Sequence, residues 1–278
     1  MNVAVAKTET GRALNDMFAM ARARLPGSGT VTEARQKAFE TYERAGLPTR
    51  RIEDWKYTDL RVLMREVLPL AAAPDQAALA KAADVVKAAA VDNAYRLVLV
   101  DGVFAPKLSD LAGLDKGLRV QSLHEALDAG IDLSADLKAA ADVMVSLNAA
   151  MATDGIVVSV DDGVALTRPV QIVHVATASS ASMFTRSRVQ VGNGARVTLV
   201  ESFAAMYGAK SYQVNDAVIV TVGDAADVAH IRLMDDAADA ANISSGLVTV
   251  GAKSKVNFFG LTSGGRVSRY QGFITLVG

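Results

Sequence analysis

The sequence predicts an α+β protein: a mainly helical N-terminal domain with a short strand hairpin over residues 1–155, then a β-helix over 156–278. That β-helix, a solenoid of stacked strands, is expected to be incomplete at its C-terminal end. Three observations carry the reading. Helix starts and stops crowd the first half. At Asp154-Gly155 the chain changes to short Val/Ile-rich runs punctuated by Gly, Asn and Asp. Beyond that point a strand–glycine–strand unit recurs at a spacing typical of solenoid coils.

Taken in order, Thr30-Val31-Thr32-Glu33 fits a capping box, in which a hydroxyl and a carboxylate satisfy free N–H groups at a helix start. Glu33/Lys37 and Glu40/Arg44 then stand four apart, which places opposite charges on one helix face. Phe39 and Tyr42 belong to the packed stripe, Gly46 supplies the left-handed stop, and Pro48 prevents continuation. A second helix is expected after Pro74, through the Ala-rich stretch to about Val91. A strand over Arg96–Val100 meets Asp101-Gly102, a hairpin signal. Ser122-Leu123-His124-Glu125 is another capping box, and a longer helix is expected over Ala135–Met151.

The second half repeats a V-x-V-G-x4-V pattern. It reads Val189-Gln190-Val191-Gly192 with Val197, Val220-Thr221-Val222-Gly223 with Val228, and Val248-Thr249-Val250-Gly251 with Val256. The glycines lie 31 and 28 residues apart, and Thr275-Leu276-Val277-Gly278 begins a fourth copy 27 residues later. Side chains alternate faces along a strand, so the two valines of each unit point the same way. Stacked coils would align them in columns as a continuous inner core, with Val191, Val222 and Val250 in one of them. The glycine suits a turn with positive φ or one where neighbouring backbone comes close. A β-sandwich accounts for the strands but not for this register.

Apolar residues make up 51% of the 278 and charged residues 21%, which indicates a globular chain with a real core. The 29 Lys+Arg nearly cancel the 30 Asp+Glu, which argues against nucleic-acid or membrane-surface partners. The absence of cysteine excludes a disulfide framework and a thiol nucleophile and fits a reducing compartment. With neither a secretory leader pattern nor a membrane-spanning run of about 18 apolar residues, the expected location is cytoplasmic.

Gly46-Leu-Pro-Thr-Arg-Arg-Ile-Glu-Asp-Trp-Lys-Tyr-Thr-Asp-Leu60 resembles the N-terminal signature of the SufD family and, more loosely, of its relative SufB. In physical terms, this segment joins a helix stop to an aromatic anchor in which Trp55 and Tyr57 are expected to pin the loop to the helical domain. Leu97–Phe104 with Leu108-Ser109, Leu147-Asn148 with Asp154-Gly155, Arg168-Pro169-Val170 and Gly264–Arg269 are similar to later family segments in the same order. The resemblance implies a non-catalytic scaffold subunit of a SufB–SufC–SufD type complex. Such a subunit supports cluster assembly on a cysteine-bearing SufB-like partner, driven by a SufC-like ATPase. An iron–sulfur cluster or a flavin is then expected only at the level of the complex, with no cofactor in this chain. Further β-helix and the helical segment that docks the ATPase have no counterpart here, so the chain is expected to be C-terminally truncated. A homo-oligomer through the open solenoid end is a further expectation.

No catalytic, cofactor-binding or metal-ligating residue is assigned. His124 lies in a helix cap and His174 and His230 in strands; none has a second His or clustered carboxylates nearby in sequence, and each is read as structural. Asp161-Asp162 and Asp235-Asp236 are read as turn residues, or as pairs split across two strand faces. No phosphate-binding G-x4-G-K-[ST] loop occurs, so no ATPase activity is expected. The alternative function is a β-helix enzyme acting on acidic polysaccharides, for which Arg186, Arg188 and Arg196 offer some basic surface. A hexapeptide acyltransferase is rejected because its motif would have to recur about every six residues.

Overall fold

The computed structural model describes residues 9–131 and 142–278. Helices α1 (Glu9–Ala21), α2 (Thr30–Ala45), α3 (Leu60–Leu63), α4 (Gln76–Ala88), α5 (Leu123–Asp128) and α6 (Val143–Met151) lie outside a solenoid of about four coils. Its strands are β1 (Tyr95–Val100), β2 (Val103–Phe104), β3 (Leu118–Ser122), β4 (Ile156–Val160), β5 (Val170–Ala176) and β6 (Ser182–Val191). They continue as β7 (Arg196–Ala205), β8 (Gln213–Val222), β9 (Asp227–Asp236), β10 (Ala241–Val250), β11 (Lys255–Gly264) and β12 (Val267–Leu276). One sheet runs β11-β9-β7-β5-β1-β2 and the other β12-β10-β8-β6-β4-β3. Pairing between successive coils is parallel; among the described residues, only β1–β2 and β3–β4 pair antiparallel. Because β1 and β3 enter these sheets, the helical half supplies the first rungs of the stack.

The valine columns form as the repeat requires. Val160, Val191, Val222 and Val250 are successive partners in register, as are Val158, Val189, Val220 and Val248. All are buried in one apolar core with Val197 and Val228 from the facing sheet. At the turns, Gly192, Gly223 and Gly251 do not adopt positive φ. Close approach is what demands glycine there: an added Cβ would lie 2.5 Å from the Asp162 amide nitrogen, 2.7 Å from that of Asn193 and 2.8 Å from that of Asp224, respectively. The same turns carry a ladder absent from the valine pattern. Asp162, Asn193 and Asp224 each accept, on Oδ1, the backbone N–H one coil further on, from Asn193, Asp224 and Ala252. Each such bond ties one coil to the next at the turn.

Helices α1, α2 and α6 pack as a layer on the outer face of the β6–β8–β10 sheet. Phe18 stacks on Phe39 at 4.0 Å, and Phe184 and Ile243 close the cluster from the sheet side. Helix α6 is buried along its whole length, and Arg35 of α2 donates to its terminal carbonyls Ala149, Ala150 and Ala152. Helix α4 covers the other sheet through Ala82 and Val86 against Val98, Val100, Val173 and Val175. Among the described residues no helix is long and apolar enough to cross a membrane.

Several local expectations hold and several do not. Gly46 ends α2 with φ 69° and donates to the Tyr42 carbonyl. Asp101 and Gly102, both with positive φ, close the β1–β2 hairpin, and Ser122/Glu125 form the capping box of α5. The box at Thr30 does not form: Gly29 is the N-cap, with no side-chain cap, and Glu33 donates its amide to the Gly29 carbonyl. Arg44 bonds the Glu40 carbonyl rather than its carboxylate. Of the helix expected over Ala135–Met151, residues 143–151 are α6, while 135–141 lie outside the described residues.

Candidate functional site

Two features stand apart from the apolar packing: the contact between the two most distinctive sequence segments, and a polar interior at one end of each solenoid coil. In the first, Trp55 is buried and its indole N–H donates to Asp142 at 3.0 Å, the same carboxylate that caps α6. Arg269 of β12 lies over the indole at 4.0 Å and donates to the Asp54 carbonyl and the Thr58 hydroxyl. The Gly46–Leu60 segment therefore clamps the helical layer to the Gly264–Arg269 strand, more than 200 residues away in sequence. Tyr57 takes no part: it is 89% exposed, with Lys56 over its ring, so the anchor is Trp55 alone.

The polar interior follows from strand alternation. In β9, Val228 faces inward, so His230, Arg232, Met234 and Asp236 do as well; in β7, Val197 sets Leu199, Glu201 and Phe203 inward by the same rule. Register places Glu201 directly beside Arg232 on the next coil, and His174 beside Phe203. The facing sheet contributes the column Thr185, Asp216, Ser244 and Tyr270.

Within it, Glu201 Oε2 accepts from Arg232 Nη1 at 2.7 Å and bonds His230 Nε2 at 2.6 Å. Arg232 Nη1 also stands 3.6 Å from Asp216 Oδ2, whose other oxygen accepts from the Thr185 hydroxyl at 2.8 Å. The guanidinium lies over the rings of Phe203 and Tyr270 at 4.8 and 4.5 Å, close enough for cation–π attraction. Tyr270 enters because Gly246 faces it: a Cβ there would meet its hydroxyl. His174 stacks on Phe203 at 4.2 Å. Further along, Asp236 accepts from Tyr212 and Asn242.

The two central carboxyls are driven apart. Burial alone would raise Glu201, but the Arg232 charge and the His230 bond outweigh it and hold the group at about 2. Burial pushes Asp216 up, and the neighbouring Glu201 charge adds to that. Burial also lowers His174, favouring the neutral imidazole.

Of the three histidines, the structure brings His174 and His230 into this interior with Glu201 and Asp216 and leaves His124 on the surface beside Asp128. Glu201, Asp216 and Arg232 escape inspection of sequence neighbourhoods because stacking, not local spacing, assembles them. Counting alternate residues onward from the repeat valines would have placed Glu201, His230 and Arg232 inside. Asp161 and Asp162 are turn residues as expected; Asp235 and Asp236 end β9 on opposite faces.

Comparison with known proteins adds two family matches: the SufBD protein N-terminal region over residues 9–172, and the SUF system FeS cluster assembly SufBD core domain over 174–278. A relative described as an iron–sulfur cluster assembly SufBD family protein, from Synechocystis, is 27% identical over 96% of this chain and 61% of its own length. The iron–sulfur cluster assembly protein SufD of Escherichia coli is 27% identical over 71% of this chain and 45% of its own. The chain thus spans about three fifths of the first relative and under half of the second.

Proposed function

Because the chain belongs to the SufBD family of iron–sulfur cluster assembly proteins, we propose that it is a non-catalytic scaffold subunit of the Suf assembly machinery. It supports a cluster built on a cysteine-bearing SufB-type partner, and a SufC-type ATPase drives the assembly. The carrying observation is the agreement between the two family matches, which together run from residue 9 to 278, and a solenoid that bears no cysteine. Protein-bound clusters are held chiefly by thiolates. A chain without them serves assembly by shape and contact, and the cluster is cargo held by another subunit.

The rigid parts described above suit that role. The Trp55–Arg269 clamp fixes the helical layer on the solenoid, so a partner docked on either would sense the other as one body. The test is affinity purification of the natural protein from its own cells. It should bring down an ATPase subunit and a SufB-like subunit, and the isolated protein should hydrolyse neither ATP nor acidic glycans. Purification without either subunit, or glycan cleavage by the protein alone, contradicts the proposal.

A further inference from the structure

Among the described residues, four side chains of the polar interior leave buried atoms without a hydrogen-bond partner: Arg232 leaves its donors Nε and Nη2, while His174, Glu201 and Asp216 each leave an atom able to accept, the other oxygen of each carboxyl group being bonded. Glu201 gives Oε2 to Arg232 and His230 and leaves Oε1 free of any hydrogen bond. Asp216 gives Oδ1 to Thr185, while Oδ2 has only the Arg232 guanidinium, beyond hydrogen-bond distance. His174 is held by stacking on Phe203, with Nε2 unpartnered. All three residues are at least nine-tenths buried, and one donor atom from each lies within 4.8 Å of the others. A buried polar atom without a partner costs about 1–3 kcal/mol, more when charged. Three residues that each carry such an atom, and whose donor atoms converge, point to a shared partner.

The chemistry narrows what that partner is. Two carboxyl groups face one guanidinium, and the guanidinium already spreads its charge over two aromatic rings. A further positive group can be accepted without breaking a bond already made. One imidazole nitrogen and two carboxylate oxygens, with no sulfur, form a donor set suited to iron(II), manganese(II) or zinc rather than to a thiolate-bound cluster. The bonds from Arg232, His230 and Thr185 are of the kind that orient metal-binding side chains from behind. On the His174 side, a cavity of about 20 Å³ has room for a single water or ion; Thr185, Tyr212 and Asp236 line it with apolar side chains, and Glu201 and Asp216 do not reach it.

We infer that His174, Glu201 and Asp216 form a binding site for one divalent first-row transition-metal ion inside the solenoid. Arg232, 3.6 Å from the free Asp216 oxygen, repels such an ion, so the site holds it exchangeably and not as a folding staple. This does not rest on the scaffold role, since the isolated chain should bind the metal whether or not any partner is captured.

The experiment titrates cobalt(II), and separately zinc(II), into the metal-stripped chain, followed by equilibrium dialysis and the visible absorption of cobalt. One ion per chain is expected. His174→Phe keeps the ring and its stacking on Phe203 but removes the nitrogens, and should weaken binding at least ~10-fold and remove the cobalt band, since even changes behind a metal site cost that much. Asp216→Asn, which keeps its size and an acceptor for Thr185, should do the same and decides the matter if His174→Phe does not fold. His124→Ala, on the surface, should change nothing. A folded wild-type chain that binds no ion overturns the inference. So does undiminished binding by a folded His174→Phe or Asp216→Asn chain, or binding that disappears with His124→Ala.

Discussion

Val222 and Asp216 sit six residues apart on the same strand and face the same interior, yet they belong to two different kinds of core. Around Val222 the column reads Val160, Val191, Val222, Val250, one residue type over four rungs before Leu276 follows. Around Asp216 it reads Thr185, Asp216, Ser244, Tyr270, and no two are alike. Where coils need only fill space and stack, one β-branched residue serves every rung. Where the rungs carry different polar groups, and Thr185 bonds Asp216 across coils, the residues do more than fill space. Buried ionic clusters are weak sources of stability in any case, because desolvation offsets most of the attraction. The valine end holds the fold, and the polar end is the part to interrogate for function.

The largest effect expected is from Val222→Asp. It places a carboxyl group in the dry column, at a cost of about 4 kcal/mol at neutral pH, where burial raises its pKa until it protonates, with the lost valine packing in addition. Domains are commonly stable by only about 5–15 kcal/mol, so loss of soluble, folded chain by circular dichroism is expected. Next is Glu201→Leu, which strands a buried Arg232 and should cost about 3–5 kcal/mol in denaturant titrations. The double change Glu201→Leu/Arg232→Met should recover most of that loss, whereas costs that simply add would show the polar end to be as fold-bearing as the valine end. Gly223→Ala drives a methyl onto the Asn193 backbone and should cost about 1–3 kcal/mol. Thr221→Ala, one residue from Val222 but facing solvent, should stay within about 0.5 kcal/mol.

These contrasts also explain what was legible beforehand. The valine columns could be read because identical residues recur at a fixed offset from a turn glycine. The Ser122 cap and the Asp101-Gly102 hairpin could be read because their signals are local. The Thr30 box does not form because Gly29, with φ 55°, turns the chain one residue earlier. Tyr57 neighbours Trp55 in sequence, but Trp55 is the one that finds Asp142 and Arg269, and both partners are far away in sequence. The polar interior was hidden for the same reason: His174, Glu201, Asp216 and Arg232 are spread over nearly 60 residues and meet only when coils stack. Each histidine examined with its sequence neighbours looks isolated. The turn glycines show the limit of residue type alone, since glycine fits both positive φ and close approach, and only the neighbouring coil decides between them.

The most direct test of this division of labour is iron–sulfur enzyme activity in cells that depend on this protein, with its wild-type gene replaced by the His174→Phe variant at matched levels of folded protein. The account expects the variant to fold about as well as the wild type and the enzyme activity to fall. Undiminished activity would contradict it, and would return the polar interior to the status of an elaborate but purely structural core.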